Sequence, residues 1–226
     1  MLEDYKKITQ LSDTINIPVT ENGERMVSLS PDNFKIEYKK LDMIPLFGNK
    51  VFVREQVSLK LEAAQSELKK INKDFQLLIS YGYRTPEIQE SYFNAALERA
   101  QEMKKDLSEE EYLELAHSMS AHTKSAGHTV GGAVDLTIWD SKNNIEIDMG
   151  SKISEFGDIA YTLYPHISEN QKENRLLLQK IMMNQGFAPF LGEWWHFSFG
   201  DKEWAFYHKQ PSALYDVVNS KNLSFV

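Results

Sequence analysis

The sequence predicts an α+β fold: a small antiparallel sheet that carries the candidate functional residues, with helices packed on its other face. One observation is a set of short segments in which apolar and polar side chains alternate, as they do along a half-buried strand. Another is a set of longer segments in which apolar residues recur every three or four positions, as they do on a helix with one buried face. Sheets and helices of this kind bury their apolar sides against each other around one core.

Length and charge limit the class of protein. The chain has 226 residues and a formal net charge of -8. A chain of this length can bury a sizeable core, so we expect a single domain over residues 1–226, with residues 1–50 as a possible N-terminal extension. The negative charge argues against nucleic acid or an anionic membrane as a partner. The sequence leaves the oligomeric state open.

The start of the chain argues against export. Met1 to Lys7 lack the basic start and the apolar run of a secretory signal. No stretch approaches the roughly 18 apolar residues that a membrane-spanning helix needs. We therefore predict a cytoplasmic protein, which would instead be periplasmic or secreted if a signal peptide had been removed. The chain has no cysteine, so any metal must be held by His, Asp or Glu side chains.

The first third of the chain contains two weak elements and one strong one. A short polar helix is expected near residues 3–10, and the alternation over residues 34–38 predicts a strand. Between residues 54 and 73, apolar side chains recur at helical spacing, which predicts an amphipathic helix with one buried face. The side chains of that face are Val57, Leu61, Ala64, Leu68 and Ile71.

A buried strand is predicted over residues 75–84, and it ends on Arg84. Thr85 and Pro86 then start a helix, Thr85 as its N-terminal cap and Pro86 in its first turn, and this helix is expected to run to about Lys105. A side chain at such a strand-to-helix junction can project into a cleft. The commoner position of an arginine, paired with a carboxylate at the surface, is the alternative.

A further helix is expected over residues 108–119, where Ser108 and Glu111 form a capping box. It is either a lid or a solvated spacer, and the spacer is the simpler interpretation. His117 and His122 lie in or after this helix, and neither is predicted to bind a metal.

The last third of the chain is predicted to contain a hairpin, a helix and a C-terminal segment. A turn over residues 140–144 leads to a hairpin partner over residues 145–150. The segment around Trp204 either packs against the sheet or forms a tail. Ser168 opens another capping box, and the helix that it starts is expected to end at Gly186. The apolar stripe of this helix consists of Leu176, Leu177, Ile181 and Met182.

One stretch with chemical potential leads into the strand predicted over residues 133–138. The apolar residues of that strand face one way, so Asp135 faces the other way. His128 lies seven residues before Asp135, and the residues just before the strand, Gly131 and Gly132, are small. The alternation therefore directs Asp135 away from the core.

The second stretch lies almost sixty residues later. Residues 194–199 are rich in aromatic β-formers and predict another strand, with His196 and Ser198 on the site face. Residues three apart face opposite ways on a strand. Glu193 is therefore expected in a loop or bulge at the entrance of this strand, next to Gly192.

Two imidazoles, one carboxylate and a free glutamate are what a catalytic zinc requires: three protein ligands, an open position for water and a base beside that water. Each residue alone has an ordinary explanation. A lone His in a polar loop is usually solvated, and a lone Asp in a strand usually serves a turn or an ion pair.

Together these residues resemble the LAS group of zinc peptidases, and most closely the VanX-type D-alanyl-D-alanine dipeptidases. The shared features are the spacing of His128 and Asp135, the Glu-Trp-Trp-His sequence at residues 193–196 and the Tyr-Arg pair that ends at Arg84 before a helix started by Pro. The run over residues 174–178 adds to the similarity.

The resemblance implies one zinc ion per chain, held by His128, Asp135 and His196. It implies Glu193 as the general base and Arg84 as the group that stabilises the transition state. The implied activity is hydrolysis of D-alanyl-D-alanine, a small D-amino-acid peptide, in cell-wall metabolism. A D,D-carboxypeptidase acting on peptidoglycan stem peptides is the alternative. A non-catalytic zinc-binding module is a third possibility, against which the presence of Glu193 and Arg84 argues.

The sequence departs from the family where the substrate is held. The family has serines just before the first His, where this chain has Ala126 and Gly127. The family's aspartate that grips the amino group of the substrate aligns with Ser154. Glu155 and Asp158 are close enough in sequence to replace that carboxylate, so all three residues are candidate substrate-binding positions.

Overall fold

A computed structural model describes residues 6–220 of the chain. Its helices are α1 (Leu11–Thr14), α2 (Ile44–Phe47), α3 (Glu55–Ile71), α4 (Pro86–Met103), α5 (Glu109–His117), α6 (Glu169–Asn184) and α7 (Lys202–Tyr207). Its strands are β1 (Met26–Ser28), β2 (Lys35–Ile36), β3 (Phe52–Arg54), β4 (Phe75–Tyr81), β5 (Ala133–Asp140), β6 (Ile145–Glu146), β7 (Ala188–Pro189) and β8 (His196–Ser198). Short 3-10 turns cover Gly127–Val130 and Asp158–Ala160.

The main sheet has the strand order β2-β4-β5-β8-β7, and β6 pairs with β5 outside this path. All of its pairs are antiparallel except β2 with β4, which are parallel. A separate antiparallel pair is formed by β1 and β3. The prediction of a small antiparallel sheet within an α+β fold is therefore confirmed, with one parallel edge pair added to it.

The alternation along β5 sorts its side chains between two faces, as the sequence predicts. Val134, Leu136 and Ile138 are fully buried in the main core, together with the apolar faces of α3 and α6. The opposite face of β5 carries Asp135. Helices α3 and α6 thus cover the apolar face, but α4 and α5 line a cavity that contains Asp135. Helices therefore lie on the predicted face, and further helices lie on the side of the candidate site.

Two residues of the predicted helix faces lie outside the core. Ile71 is 57% exposed because it is the last residue of α3 and lies beyond the sheet that the helix covers. Leu176 is 41% exposed, whereas Leu178 is fully buried. The inward face of α6 contains Arg175, Leu178 and Met182, which recur every three or four residues, and Leu176 is out of phase with them.

The first predicted helix is displaced along the chain. Residues 3–5 lie outside the described part, and residues 7–10 are not helical. Helix α1 begins at Leu11, where the Glu114 carboxylate of α5 accepts hydrogen bonds from the backbone N–H groups of Leu11 and Ser12, at 2.7 and 2.8 Å. A contact with a distant residue therefore adds to the local hydrogen bond between Gln10 N and Asp13 Oδ2 at the start of this helix.

Over its described part, the predicted N-terminal extension contributes to the sheets. Residues 26–28 pair with β3, and residues 35–36 add the parallel edge strand to β4. Val19 forms an isolated bridge with Ala213 near the other end of the chain. Within residues 6–220, no helix combines the length and the apolar character that crossing a membrane requires.

Candidate active site

Asp135 and His196 are brought together by the pairing of β5 with β8. The two residues are direct partners in the antiparallel register, so their side chains lie on the same face of the sheet. His196 Nδ1 lies 3.0 Å from Asp135 Oδ1. The predicted strand over residues 194–199 is shorter than expected: it begins at His196, because His196 N donates to Glu193 O at 3.0 Å and closes a turn over the two tryptophans.

His128 is positioned by the 3-10 turn over Gly127–Val130. Gly131 ends this turn with a positive φ of 72°, and a Cβ at this position would lie 2.5 Å from the Met26 sulfur. Glycine is therefore required here. The Nδ1 atom of His128 lies 2.7 Å from the Gly82 carbonyl oxygen. Because a carbonyl only accepts, Nδ1 carries the proton, which leaves Nε2 free to bind a metal.

The three side chains form a candidate metal site. One donor atom from each of His128, Asp135 and His196 lies within 4.8 Å of the others, and no other group of three such side chains is found within residues 6–220. His128 Nε2 lies 3.4 Å from Asp135 Oδ1. Donors on a tetrahedral zinc with bonds of about 2.1 Å are roughly 3.4 Å apart, so the donor types and their spacing fit this ion. His117 and His122 are not in the group.

The charges of the three donors are strongly coupled. Burial lowers the pKa of His128 to about 4, and the Arg84 guanidinium acts in the same direction. Burial also lowers the pKa of His196, but the hydrogen bond and charge of Asp135 outweigh it and raise that pKa to about 9. Burial raises the pKa of Asp135, yet the two imidazoles hold it well below its ordinary value. A carboxylate held ionised between two imidazoles attracts a cation.

Glu193 lies in the turn just before β8, at the entrance of the strand, as the sequence predicts. Its side chain lines the same cavity as the three donors, and it is not one of them. Burial raises the pKa of Glu193, and the nearby Asp135 charge raises it further. The residue is therefore placed beside the candidate metal site as a separate carboxylate.

Arg84 is buried, with 6% of its surface exposed, and its side chain lines the cavity. Its Nη1 donates to Gln89 Oε1 at 2.7 Å, and its Nε lies 3.3 Å from the Tyr81 hydroxyl oxygen. The guanidinium carbon lies 4.6 Å from the ring centre of Tyr81 and 5.0 Å from that of Tyr92. The alternative of a surface ion pair is therefore wrong, because packing and hydrogen bonds hold this arginine inside the cavity.

The cavity has a volume of about 860 Å³. It extends from the three donors to helices α4 and α5, where Met103 of α4, Leu115 of α5 and Met119 just after α5 form part of its wall. The solvated-spacer interpretation of residues 108–119 is therefore wrong. Helix α5 packs on α4 through a small apolar cluster that includes Phe93 and Ala116.

The three predicted substrate-binding residues differ in their location relative to the cavity. Ser154 lines the cavity and has a positive φ of 66°. Asp158 also lines it, and its carboxylate lies 2.9 Å from the Lys6 ammonium. Glu155 is exposed and is not among the lining residues, and its carboxylate accepts a hydrogen bond from the Lys152 backbone N–H at 3.0 Å.

Some polar residues of the cavity carry no signal in the sequence. Gln89 and Tyr92 project from α4, Lys40 follows the edge strand β2, and Glu203 lies in α7. Burial raises the pKa of Glu203 to about 7. None of these residues belongs to a recognisable motif, and only the packing of distant elements brings them together. Ser198, predicted on the site face, donates to Asp201 Oδ1 at 2.8 Å and does not line the cavity.

A comparison with protein families gives a match over most of the chain. The Peptidase_M15 family model, described as D-ala-D-ala dipeptidase, matches residues 39–215. The chain belongs to the Peptidase_M15 family. As a member of this family it is a metallopeptidase, and the similarity to VanX-type enzymes found in the sequence is confirmed.

Several M15 relatives are D-alanyl-D-alanine dipeptidases. The enzyme of Escherichia coli strain K12 is 39% identical over 75 residues, which cover 33% of this chain and only 38% of that enzyme. The enzyme of Synechocystis sp. is 24% identical over 229 aligned positions, which cover 89% of this chain and 92% of that enzyme. The Enterococcus faecium enzyme is 28% identical over 165 residues, with coverage of 69% and 76%.

Proposed function

We propose that this metallopeptidase is a zinc-dependent D-alanyl-D-alanine dipeptidase. The observation that carries the proposal is the arrangement of His128, Asp135 and His196 as three converging donors in one cavity with Glu193 and Arg84. The M15 relatives named above are D-alanyl-D-alanine dipeptidases, which supports the substrate. A non-catalytic zinc-binding module would require neither Glu193 nor Arg84 in the cavity.

The donors would hold one zinc ion per chain. His128 would bind through Nε2, because its Nδ1 donates to the Gly82 carbonyl oxygen. His196 would bind through Nδ1, which lies against Asp135. When bound, zinc supplies a Lewis acid that polarises the scissile carbonyl and activates water near neutral pH.

Glu193 and Arg84 have different roles in the proposed reaction. Glu193 takes a proton from the attacking water and returns it to the leaving amine, which is general base and then general acid catalysis. The Arg84 guanidinium stabilises the negative charge that develops on the carbonyl oxygen. Gln89 and Tyr81 hold that guanidinium in place before the substrate arrives.

The amino end of the substrate needs an anionic partner. Asp158 lines the cavity and is the better placed carboxylate, although it also pairs with Lys6. Ser154 supplies only a hydroxyl. Glu155 would have to leave its hydrogen bond with the Lys152 backbone N–H to reach the cavity.

A D,D-carboxypeptidase acting on longer stem peptides is the second candidate. The observation that favours it is the size of the cavity, about 860 Å³, which lies toward the upper end of pockets that hold drug-sized ligands. A dipeptide of two alanines is much smaller than such ligands. The extension toward α5 would accept the additional residues of a stem peptide.

The two candidates are separated by comparing kcat/KM for D-Ala-D-Ala with kcat/KM for its N-acetylated form. A dipeptidase prefers the free amine, and losing the charge-assisted hydrogen bond in Asp158→Asn should reduce that preference roughly ten- to a hundred-fold. Glu155→Gln is the comparison variant, and loss of the preference there would make Glu155 the anchor. A preference for the acetylated substrate would rule out the dipeptidase in favour of the carboxypeptidase.

A further inference from the structure

Lys40 places a cation inside the cavity, and among the described residues it forms no ion-pair contact with a carboxylate. Its ammonium lies 5.1 Å from the ring centre of Tyr92 and 5.3 Å from that of Phe156. Within residues 6–220, no carboxylate oxygen lies within 4 Å of the Lys40 ammonium, which is the distance limit for an ion pair. The preceding residue is arranged differently: the Lys39 ammonium pairs with Glu37 at 2.7 Å and with Glu146 at 2.6 Å.

The surroundings of Lys40 favour an incoming anion. The side chain is half-buried between two aromatic rings, and a buried cation without a partner is unfavourable. Burial and the nearby Arg84 guanidinium lower the pKa of Lys40, and the charges of Asp135, Glu193 and Asp42 offset this only in part. A carboxylate bound beside Lys40 would offset both effects, because an opposite charge at close range favours the charged ammonium.

We propose that Lys40 binds the C-terminal carboxylate of the peptide substrate and so determines specificity for a free carboxyl end. This inference rests on the proposed function, in which the scissile carbonyl lies at the three donors. In the last residue of a substrate, the carboxylate carbon is only three bonds from the scissile carbonyl carbon. The carboxylate must therefore bind in the part of the cavity that also contains the donors and Glu193.

The other cations that line the cavity are less suitable. Arg84 is held by Gln89 and Tyr81 and serves the carbonyl oxygen in the proposed mechanism. Arg99 lies in the last part of α4, and at about 1.5 Å per residue it is roughly 20 Å from the end of the helix next to Arg84. Lys40 lines the same cavity as Asp135 and Glu193, and its ammonium lies 5.1 Å from the Tyr92 ring centre, from which the Arg84 guanidinium carbon lies 5.0 Å away.

The proposal is tested by steady-state kinetics of zinc-loaded protein on D-Ala-D-Ala and on its C-terminal amide. The wild type should prefer the free acid, and Lys40→Met should reduce the acid-to-amide ratio of kcat/KM on the order of 10- to 100-fold, mainly through KM. Lys40→Arg should keep most of the preference, because it keeps the charge. Lys39→Met is the matched control and should keep the wild-type ratio.

A binding experiment separates this proposal from the proposed function. D-Ala-D-Ala and its C-terminal amide are titrated calorimetrically into zinc-loaded Glu193→Gln protein, with and without Lys40→Met. Tighter binding of the acid that disappears with Lys40→Met supports the role of Lys40, even if the wild type hydrolyses neither compound and the dipeptidase assignment fails. An acid-to-amide preference that survives Lys40→Met in either experiment overturns the proposal, and so does the absence of binding by both compounds.

Discussion

At the scale of single residues, the candidate site contains two carboxylates, Asp135 and Glu193, in different positions. Asp135 lies between two imidazoles, 3.0 Å from His196 Nδ1 and 3.4 Å from His128 Nε2. Glu193 is only three residues from His196 in sequence, but the turn before β8 keeps it out of the donor set. In the proposed mechanism, the same chemical group would therefore serve as a ligand in one position and as a base in the other.

This division predicts different outcomes for Glu193→Gln and His196→Ala. Glu193→Gln should keep about one zinc per chain and lose on the order of 10² to 10⁴ in kcat, which is the usual scale of general acid-base catalysis. His196→Ala should lose the zinc, because only two protein donors remain. Elemental analysis and steady-state kinetics measure both effects. Zinc loss in Glu193→Gln would identify Glu193 as a ligand, and an unchanged kcat would remove it from the mechanism.

At the scale of secondary-structure elements, α5 connects the cavity with the N-terminal segment. Its capping box holds Ser108 and Glu111 in reciprocal hydrogen bonds. One turn later, Glu114 caps α1. At its C-terminal end, His117 Nδ1 accepts a hydrogen bond from the His122 backbone N–H at 3.0 Å. The helix is thus anchored at both ends.

Helix α5 should make the stability of the protein depend on pH. Burial lowers the pKa of His117 to about 4 from an ordinary value of 6.5. The unfolded chain therefore binds a proton first as the pH falls, so this stabilisation is complete above about pH 6.5 and is lost toward pH 4. Between pH 7 and pH 5, the free energy of unfolding should fall by about 2 kcal/mol more in the wild type than in His117→Gln.

Urea denaturation of the metal-free protein at the two pH values measures this difference without a contribution from zinc release. The exposed His166 provides the control, because His166→Gln should show the same fall as the wild type. An equal fall in wild type and His117→Gln would contradict the prediction.

At the scale of the whole molecule, Arg54 connects segments from both ends of the chain with the turn that carries His128. This arginine is buried at the end of β3, and its Nε donates to the Val130 carbonyl oxygen at 2.8 Å. Its Nη2 donates to Glu21 Oε2 and to the Asp216 carbonyl oxygen, both at 3.0 Å. Val130 belongs to the turn that carries His128, so Arg54 supports the geometry of the candidate metal site.

Arg54→Met should therefore lower the free energy of unfolding by about 3 kcal/mol, because buried carbonyl oxygens and a partly buried carboxylate lose their donor. It should also weaken zinc binding, since the turn with His128 loses a contact. Arg25→Met is the matched control: Arg25 pairs with Glu55 at the surface, and its loss should have little effect on either quantity. Denaturant titration and zinc titration measure the two effects, and equal behaviour of the two variants would contradict the role of Arg54.

The elements with a clear period and the residues with a distinctive chemistry could be predicted from the sequence alone. The alternation of β5, the capping boxes of α5 and α6 and the Thr85 cap of α4 all depend on neighbours within a few residues. These features can therefore be predicted from the sequence, because local backbone geometry determines them. The candidate donors could be predicted because imidazole and carboxylate groups are the usual zinc ligands in a chain without cysteine, and because their pattern resembles that of a known group of zinc peptidases.

Features that depend on distant contacts became visible only in the folded chain. The register that places Asp135 opposite His196 is a pairing between strands far apart in sequence. The entry of Lys40 into the cavity and the Glu114 contact at the start of α1 likewise depend on elements that meet only in the fold. The exposure of Glu155 follows from the path of its loop. The alternation of side chains along a strand is a property of the local backbone. Strand register, the path of a loop and the shape of a cavity instead depend on which distant surfaces pack against each other and exclude water.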